Sequence, residues 1–448
     1  MNTLQTDNLF KTFFRYVSLN ILAAAALSCY ILADTFFVAN ALGTDGLAAL
    51  NLVIPVFNLI FGFGLMFGIG GGTRYAIQKA QNRHSEADQT FTRVILLAAA
   101  LSVFFELLGL FGTKQVCLFL GADGDALPLA IEYLQVIFVF APLFLFNNVF
   151  QSFVRNDGNP KLAMTAMVVA SFTNIVLDYI LIYPLELDMF GAALATGVSP
   201  CVSLFILSFH SIKKKNGYHL VKCKNAIRQF LDICALGVSS LLTEFSTGIV
   251  ILVFNLAILG LAANSGVAAY GVIANLAIVA IAVFTGIAQG IQPILSTCHG
   301  KGEPGSVGKV LRWGLIAAIG LAALMYVLLV LFKDPCIAVF NKENDPLLAE
   351  LAAEGFPLYF AGLFFASVNI VMSGYFSAVE LPARSFIVTI IRGCIAIIPL
   401  VLILAVLLGM TGVWMAFPAA ELIAAILALI FLKKSSSGRK SQRNQQLS

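Results

Sequence analysis

Mostly apolar stretches of about twenty or more residues recur along the whole chain, and they leave few folds open. Inside a bilayer every backbone N–H and C=O must be satisfied within the protein, so segments of this length are read as spanning α-helices. Hydrophobic residues make up 60% of the 448 and charged residues 11%, against about 25% charged in soluble domains. A string of water-soluble domains is therefore excluded. Twelve spans are read, at 14–39, 46–77, 92–112, 128–152, 162–183, 190–212, 230–259, 266–297, 310–332, 352–378, 384–408 and 411–432. The connections are too short to hold an inserted soluble domain. Spans two, seven and eight are long, which predicts tilt or projection beyond the hydrocarbon.

Lys and Arg set the expected sidedness. Lys114, Lys333 and Lys342 fall on one side. The other basic residues cluster on the opposite one, around Lys79/Arg83/Arg93, Arg155/Lys161, Lys213–Lys215, Lys222/Lys224/Arg228, Lys301/Lys309/Arg312 and the tail. Both termini are thus expected on the cytoplasmic side of a bacterial inner membrane. The net charge of +4 reflects this topology, and no nucleic-acid footprint is visible. The eight cysteines contain no C-x-x-C and read as buried thiols. The first apolar stretch holds Asp34 and lacks a small-residue cleavage site, so it is expected to remain as a helix.

The chain repeats itself. An offset of 220 residues places Gly46-Leu47-Ala48-Ala49 on Gly266-Val267-Ala268-Ala269, and Gly70 on Gly290. An offset of 222 places Glu132 on Glu354, Phe138 on Phe360, Asn147 on Asn369 and Pro160 on Pro382; near 221, Gly191 falls on Gly412 and Ala195 on Ala416. The order and near-constant offset predict two six-helix lobes inserted with the same orientation, related by a pseudo-twofold axis along the membrane normal and flanking a central cleft. The expected fold is an all-α polytopic membrane protein of twelve transmembrane helices in two such bundles. Residues 1–215 and 230–434 form the lobes, 216–229 a basic linker, and 435–448 a disordered tail.

Two acids interrupt the apolar pattern. A carboxylate at the bilayer centre costs roughly 2.5–3.5 kcal/mol on insertion scales, which makes Asp34 and Asp178 functional candidates. Each lies about five residues from the outer end of its span, hence about 8 Å deep. Asn174 shares a helix face with Asp178, and Thr196 and Tyr133 reach the same depth. Carboxylates, amide, hydroxyl and phenol supply oxygen ligands for a small cation or a relay for a proton. Asp34, Asn174, Asp178 and Thr196 would hold Na⁺ if that is the ion. The alternative is a hydrogen-bonded network that only locks helices together. The repeat acts as an internal control: Asp34 maps onto Phe254, Asn174 onto Ala396, Asp178 onto Leu400 and Thr196 onto Phe417. The fold does not need polar groups at these places.

Glu244, in the middle of span seven, maps onto Ala24. It is a candidate to attract a cationic substrate or to form a second coupling site, or else it pairs with a buried donor. Glu106 and Glu421 are also intramembrane. Arg392, near the inner end of span eleven, is expected to snorkel to the interface. Asn147, Asn148 and Gln151 stand among Phe144, Phe146 and Phe150, a mixture suited to a flat amphipathic cation. The run Gly68-Ile69-Gly70-Gly71-Gly72 predicts close helix packing. No H-E-x-x-H, G-x-S-x-G or Walker sequence is present, so enzyme chemistry is unsupported and no cofactor is expected. Transport without an ATP-binding domain would run on an ion gradient.

Ala33-Asp34-Thr35-Phe36-Phe37-Val38, with Leu42-Gly43 and Gly46-Leu47-Ala48-Ala49, resembles the first-helix signature of the multidrug and toxic compound extrusion (MATE) transporters. Phe153-Val154-Arg155 with Gly158-Asn159-Pro160-Lys161 resembles their fourth-loop motif, and Asn174–Asp178 and Gly191–Thr196 follow in order. The resemblance is sharp over 30–200 and is nearest to the prokaryotic DinF branch and the MepA type. It implies two six-helix lobes, a rocker-switch cycle and antiport of drugs against H⁺ or Na⁺; the exported compounds are expected to be mostly small organic cations, and with no coiled coil or conspicuous dimerisation helix in the sequence a monomer in the lipid bilayer is expected. It also implies that Asp34, Asp178, Asn174 and Thr196 bind the coupling ion, that Tyr133 joins them, and that Asn147, Gln151 and Met167 line the substrate cavity; the residue pattern adds Phe150 and Glu244 as expected substrate contacts. One departure stands out: many relatives carry a proline early in the first helix, where this chain has Ser18-Leu19-Asn20. The rivals are a lipid-linked-precursor flippase of the same superfamily, which should need a more cationic cavity, a major-facilitator carrier, whose loop after span two is absent, and an integral membrane enzyme.

Overall fold

The computed structural model describes residues 6–447 apart from 125, 224–226 and 342–344, with the side chains of 6, 7, 44, 45, 47, 48 and 435–447 also outside the description. The expected tail, 435–448, therefore falls outside the described side chains. Among the described residues the chain is helical, with no strand.

The first six spans are Asn8–Gly43, Ala49–Ala80, His84–Phe111, Ala126–Asn156, Pro160–Ile182 and Asp188–Ile212. Ile227–Gly300 breaks at Ala262 and Ala263 into the seventh and eighth. Pro304–Leu331 is the ninth, and Pro346–Phe360 with Leu363–Ala378, bent by 45°, makes the tenth. Pro382–Lys434 breaks at Gly409 into the eleventh and twelfth. The twelve expected spans are all present, most of them extending several residues beyond their sequence bounds.

Local chemistry explains the starts. Pro160, Pro304, Pro346 and Pro382 occupy the first turns, where a missing N–H costs nothing. Asn159 caps the fifth span by accepting from Leu162 N at 3.3 Å. Gly43, at φ 62° and ψ −146°, turns the chain between spans one and two. Its repeat partner Ala263 holds almost the same backbone, φ 48° and ψ −147°, without glycine's freedom.

Two large cores form, one in each lobe, but packing crosses the division of the sequence on the basic side. Leu9, Phe13 and Val17 of span one belong to the core of the second lobe, where Phe10 and Phe13 meet Trp313 at 5.1 and 5.7 Å. Ile233 of span seven is buried in the core of the first. Glycines allow these crossings. A side chain at Gly70 would meet Ile233 O, one at Gly237 Met66 O, one at Gly286 Ile21 Cα, and one at Gly290 Val17 Cα. The glycine run therefore does what its sequence predicts, and Gly70 and Gly290, paired by the repeat, play reciprocal roles.

Polar contacts close the same seam. Gln292 Nε2 donates to Thr73 Oγ1 at 2.8 Å, and Asn156 Nδ2 to Gln292 Oε1 at 3.2 Å. Arg74 pairs with Glu380 across the lobes, and His299 Nε2 lies 3.4 Å from the same carboxylate. The linker is docked on the first lobe. Asp157 gathers Lys79, the Tyr75 hydroxyl (2.6 Å), His210 Nε2 (2.9 Å) and Gly217 N (2.6 Å), and the Tyr218 ring lies 4.6 Å from that of Phe91.

Candidate functional site

The first lobe brings the predicted ion site together. Asp34 is buried in span one, and Asn174 and Asp178 are fully buried in span five. The surroundings orient the Asn174 amide so that its nitrogen donates to Asp178 Oδ2 at 3.1 Å and its oxygen accepts from Thr196 N at 3.3 Å. The Tyr133 and Thr196 hydroxyls lie close together, and both carboxylates are within electrostatic reach of Tyr133. Asp34 likewise acts on Asp178. Asp34 Oδ1 and Asp178 Oδ1 are buried with no hydrogen-bond partner among the described residues. A buried carboxylate oxygen left bare is costly unless it is protonated or meets a cation. Two of them beside an amide and two hydroxyls form an oxygen set for one proton or one small cation. No group of three or more His, Cys, Asp or Glu side chains is gathered among the described residues, so the chemistry is that of hard oxygens.

Sequence reasoning missed Tyr30. It lies one helical turn before Asp34, within the electrostatic reach of Asp34, Asp178 and Glu244, and it lines the first-lobe chamber with Asn147, Gln151, Met167 and Thr196. The i, i+4 spacing to Asp34 was the available signal.

A larger cavity, about 1120 Å³, lies between the lobes. Gln151 and Met167 reach it as well as the first-lobe chamber, and Glu244 faces it from the second lobe. Asn147 keeps to the chamber, with its Oδ1 unpartnered, and Gln151 Nε2 donates to Ser203 Oγ at 3.3 Å. Phe150 is placed differently from its expectation. It packs on Phe91 at 6.0 Å in the lobe core, because the helix face that carries Asn147 and Gln151 to the chamber turns Phe150 away from it.

Two arginines also depart from expectation. Arg392 does not snorkel: it sits in a π-helical turn, Ile391–Ile395, and pairs with Glu421 at 2.6 Å with side chains 10% and 3% exposed. A carboxylate within reach holds the guanidinium inside. Arg155, read as a basic-side charge, is buried in the seam. Its Nη1 donates to Asn20 Oδ1 at 2.8 Å and Gln289 Oε1 at 2.9 Å, and it lines the inter-lobe cavity. Glu106 lies exposed on the third span.

A family model described as MatE matches residues 20–180 and 238–403. Multidrug export protein MepA of Staphylococcus aureus strain N315 is 26% identical over 428 residues, covering 93% of this chain and 92% of its own. The protein of the same name from Staphylococcus saprophyticus is 24% identical over 405 residues, covering 90% and 89%. Among solved structures, the outward-facing conformation of a multidrug resistance MATE family transporter of the MOP superfamily superposes with a TM-score of 0.91 at 24% identity, covering 96% of each chain. A MATE in complex with MaL6 gives 0.91 at 25%, covering 96% of this chain and 97% of its own.

Proposed function

The chain belongs to the MatE family of membrane transporters, and from that premise we propose that it is a multidrug efflux antiporter exchanging amphipathic, mostly cationic organic compounds for H⁺ or Na⁺. The observation that carries this reading is the pair of unpartnered carboxylate oxygens, Asp34 Oδ1 and Asp178 Oδ1, buried in the first lobe beside the chamber that Tyr30 and Thr196 line. Gln151 and Met167 line both that chamber and the inter-lobe cavity, so ion and drug compete for connected space.

The basic side is taken as cytoplasmic, and the protein as a monomer in the inner membrane. In this reading the closed seam on that side marks the outward-open end of a rocker-switch cycle. A proton or Na⁺ then enters from outside and settles on Asp34 and Asp178, with Asn174, Thr196 and Tyr133 around it. Neutralising the acids removes the charge that holds a cationic drug, and the drug leaves. Opening of the seam on the cytoplasmic side releases the ion and admits the next drug. One charge moving through 100 mV supplies about 2.3 kcal/mol, enough for a gradient of roughly fiftyfold in a neutral solute.

Arg155 gives the flippase reading one more cavity cation than the sequence allowed, but it is opposed by Glu244 on the same cavity. The test is efflux of a fluorescent cationic dye from proteoliposomes under a proton or a sodium gradient applied separately. One gradient should drive export, and Asp34→Asn or Asp178→Asn should insert normally and abolish it. Export by both variants at the unmodified rate would refute the assignment. No export by the unmodified protein under either gradient would favour lipid movement.

A further inference from the structure

Each lobe encloses a chamber at the same place in the repeat. The first is lined by Tyr30, Ala170, Thr196 and Pro200, among others. The second, about 720 Å³, has Val250, Arg392, Phe417 and Glu421 at the matching positions, with Tyr270 and Tyr359 beside them. The acids buried beside the first chamber, Asp34 and Asp178, correspond to Phe254 and Leu400. The second lobe therefore buries one guanidinium and one carboxylate, at other positions of the repeat than the two bare carboxylates of the first.

The guanidinium is built in. The π-helical turn inserts an extra residue into span eleven and re-aims the Arg392 side chain. Nε donates to both Glu421 oxygens at 3.0 and 3.1 Å, and Nη2 to Oε1 at 2.6 Å. Glu421 is fixed in turn by Asn369 Nδ2 at 2.6 Å. Arg392 Nη1, on a side chain only 10% exposed, has no protein partner among the described residues. The same side chain forms part of the wall of both the second chamber and a neighbouring cavity of about 690 Å³, which shares Arg155, Glu244 and Gln289 with the larger inter-lobe cavity. An arginine held in this way presents a free N–H edge to whatever occupies the cavity, and its planar fork matches a carboxylate. Ser373 and Thr389 add hydroxyl groups on the cavity wall. Tyr359 and Phe417 stack at 4.5 Å and 11° to form a flat apolar surface on the chamber side. Glu244 lines the inter-lobe cavity with no ion pair among the described residues.

We propose that Arg392 is a subsite for the carboxylate of a zwitterionic amphipathic substrate. The carboxylate meets Nη1, the aromatic body lies along Tyr359 and Phe417, and the cationic end faces Glu244. This deepens the antiport reading and rests on it for the cavity's role, naming the side chain that would distinguish a substrate with a carboxylate from one without.

The test is equilibrium binding to the purified full chain in detergent, read by fluorescence anisotropy, with rhodamine B and its ethyl ester. The two dyes share a ring system and differ in the free carboxylate. In the unmodified protein, esterification should weaken binding about tenfold; an ester that binds as tightly as the acid overturns the proposal without any variant. Arg392→Gln combined with Glu421→Gln leaves no buried charge alone. It should weaken the acid about tenfold and the ester less than twofold, and a variant that keeps the tenfold preference overturns the assignment to Arg392. No gradient is applied, so failure of ion coupling leaves this readout intact.

Discussion

A methyl group at Gly237 should push the transporter away from its seam-closed state. The Cβ of Gly237→Ala would lie 1.9 Å from Met66 O and 2.7 Å from Met66 C, both backbone atoms that cannot rotate aside. Ordinary contact begins near 3.4 Å, so spans two and seven must part by about 1.5 Å. Overpacking of this kind costs about 1–3 kcal/mol. In the proposed rocker switch spans two and seven separate as the seam opens, so the cost falls on the seam-closed state and the equilibrium should move about 5- to 150-fold. Arg83 and Lys301 are exposed on the basic side of opposite lobes and suit paired spin labels in a background freed of the eight cysteines. Pulsed dipolar spectroscopy should show a longer-distance population in Gly237→Ala. Gly320→Ala, where an added Cβ meets nothing within 4 Å, should leave the distribution unchanged. A folded Gly237→Ala variant with the unmodified distance distribution would refute the argument that backbone contact at this glycine holds the seam shut.

Three further outcomes follow from local geometry. Ala263→Gly should raise thermal stability in detergent by about 1 kcal/mol, since a residue with a side chain at positive φ stores strain of that order; a lowered melting temperature would show that the turn is not strained. Glu380→Gln removes the carboxylate shared by Arg74 and His299; with both partners of the Arg74 pair 32% exposed, the loss is at most about 1 kcal/mol, and the label distances should show a modest opening. The third concerns Asp157, where burial raises the carboxyl but hydrogen bonds from His210, Lys79, Tyr75 and Gly217 prevail and hold it at about 2, below the ordinary 3.8. Its contribution to docking the linker is complete above the unfolded value and is lost as pH falls from about 4 toward 2. Hydrogen exchange of residues 213–223 should therefore stay protected at pH 5, and the same segment should lose protection at pH 5 in Asp157→Asn.

The sequence carried the span count because hydropathy over about twenty residues is a strong signal in a bilayer. It carried the first-lobe acids because a buried charge is rare enough to stand out alone. It misplaced Arg392, because a lone arginine near a helix end has snorkelling as its default, and the partner that holds it inside, Glu421, comes from the next span. Arg155 was misread for a similar reason: its burial depends on Asn20 and Gln289, which are distant in sequence. Phe150 shows the opposite error. Its neighbours Asn147 and Gln151 do face the chamber, but a residue adjacent to Gln151 on a helix points about 100° away from it. The crossing of spans one and seven onto opposite lobes was also hidden, because a repeat defines equivalent positions without saying which half each one packs against.

The repeat separates what the fold requires from what the function requires. Gly70 and Gly290 occur in both halves and carry reciprocal backbone contacts, so they belong to the scaffold that lets two like bundles meet. Gly43 and Ala263 share a backbone conformation but not a residue, so there the turn, rather than the glycine, is what both halves keep. The charges obey neither pattern: Asp34 and Asp178 stand opposite Phe254 and Leu400, while Arg392 and Glu421 stand opposite Ala170 and Pro200. Each half thus spends its costly buried charges at a different place on one shared frame. A symmetric frame can rock between two mirrored openings, but a symmetric charge plan would hold the same ligand equally in both lobes. A lobe that carries bare acids and a lobe that carries a fixed guanidinium instead offer a ligand different partners at different places on one frame.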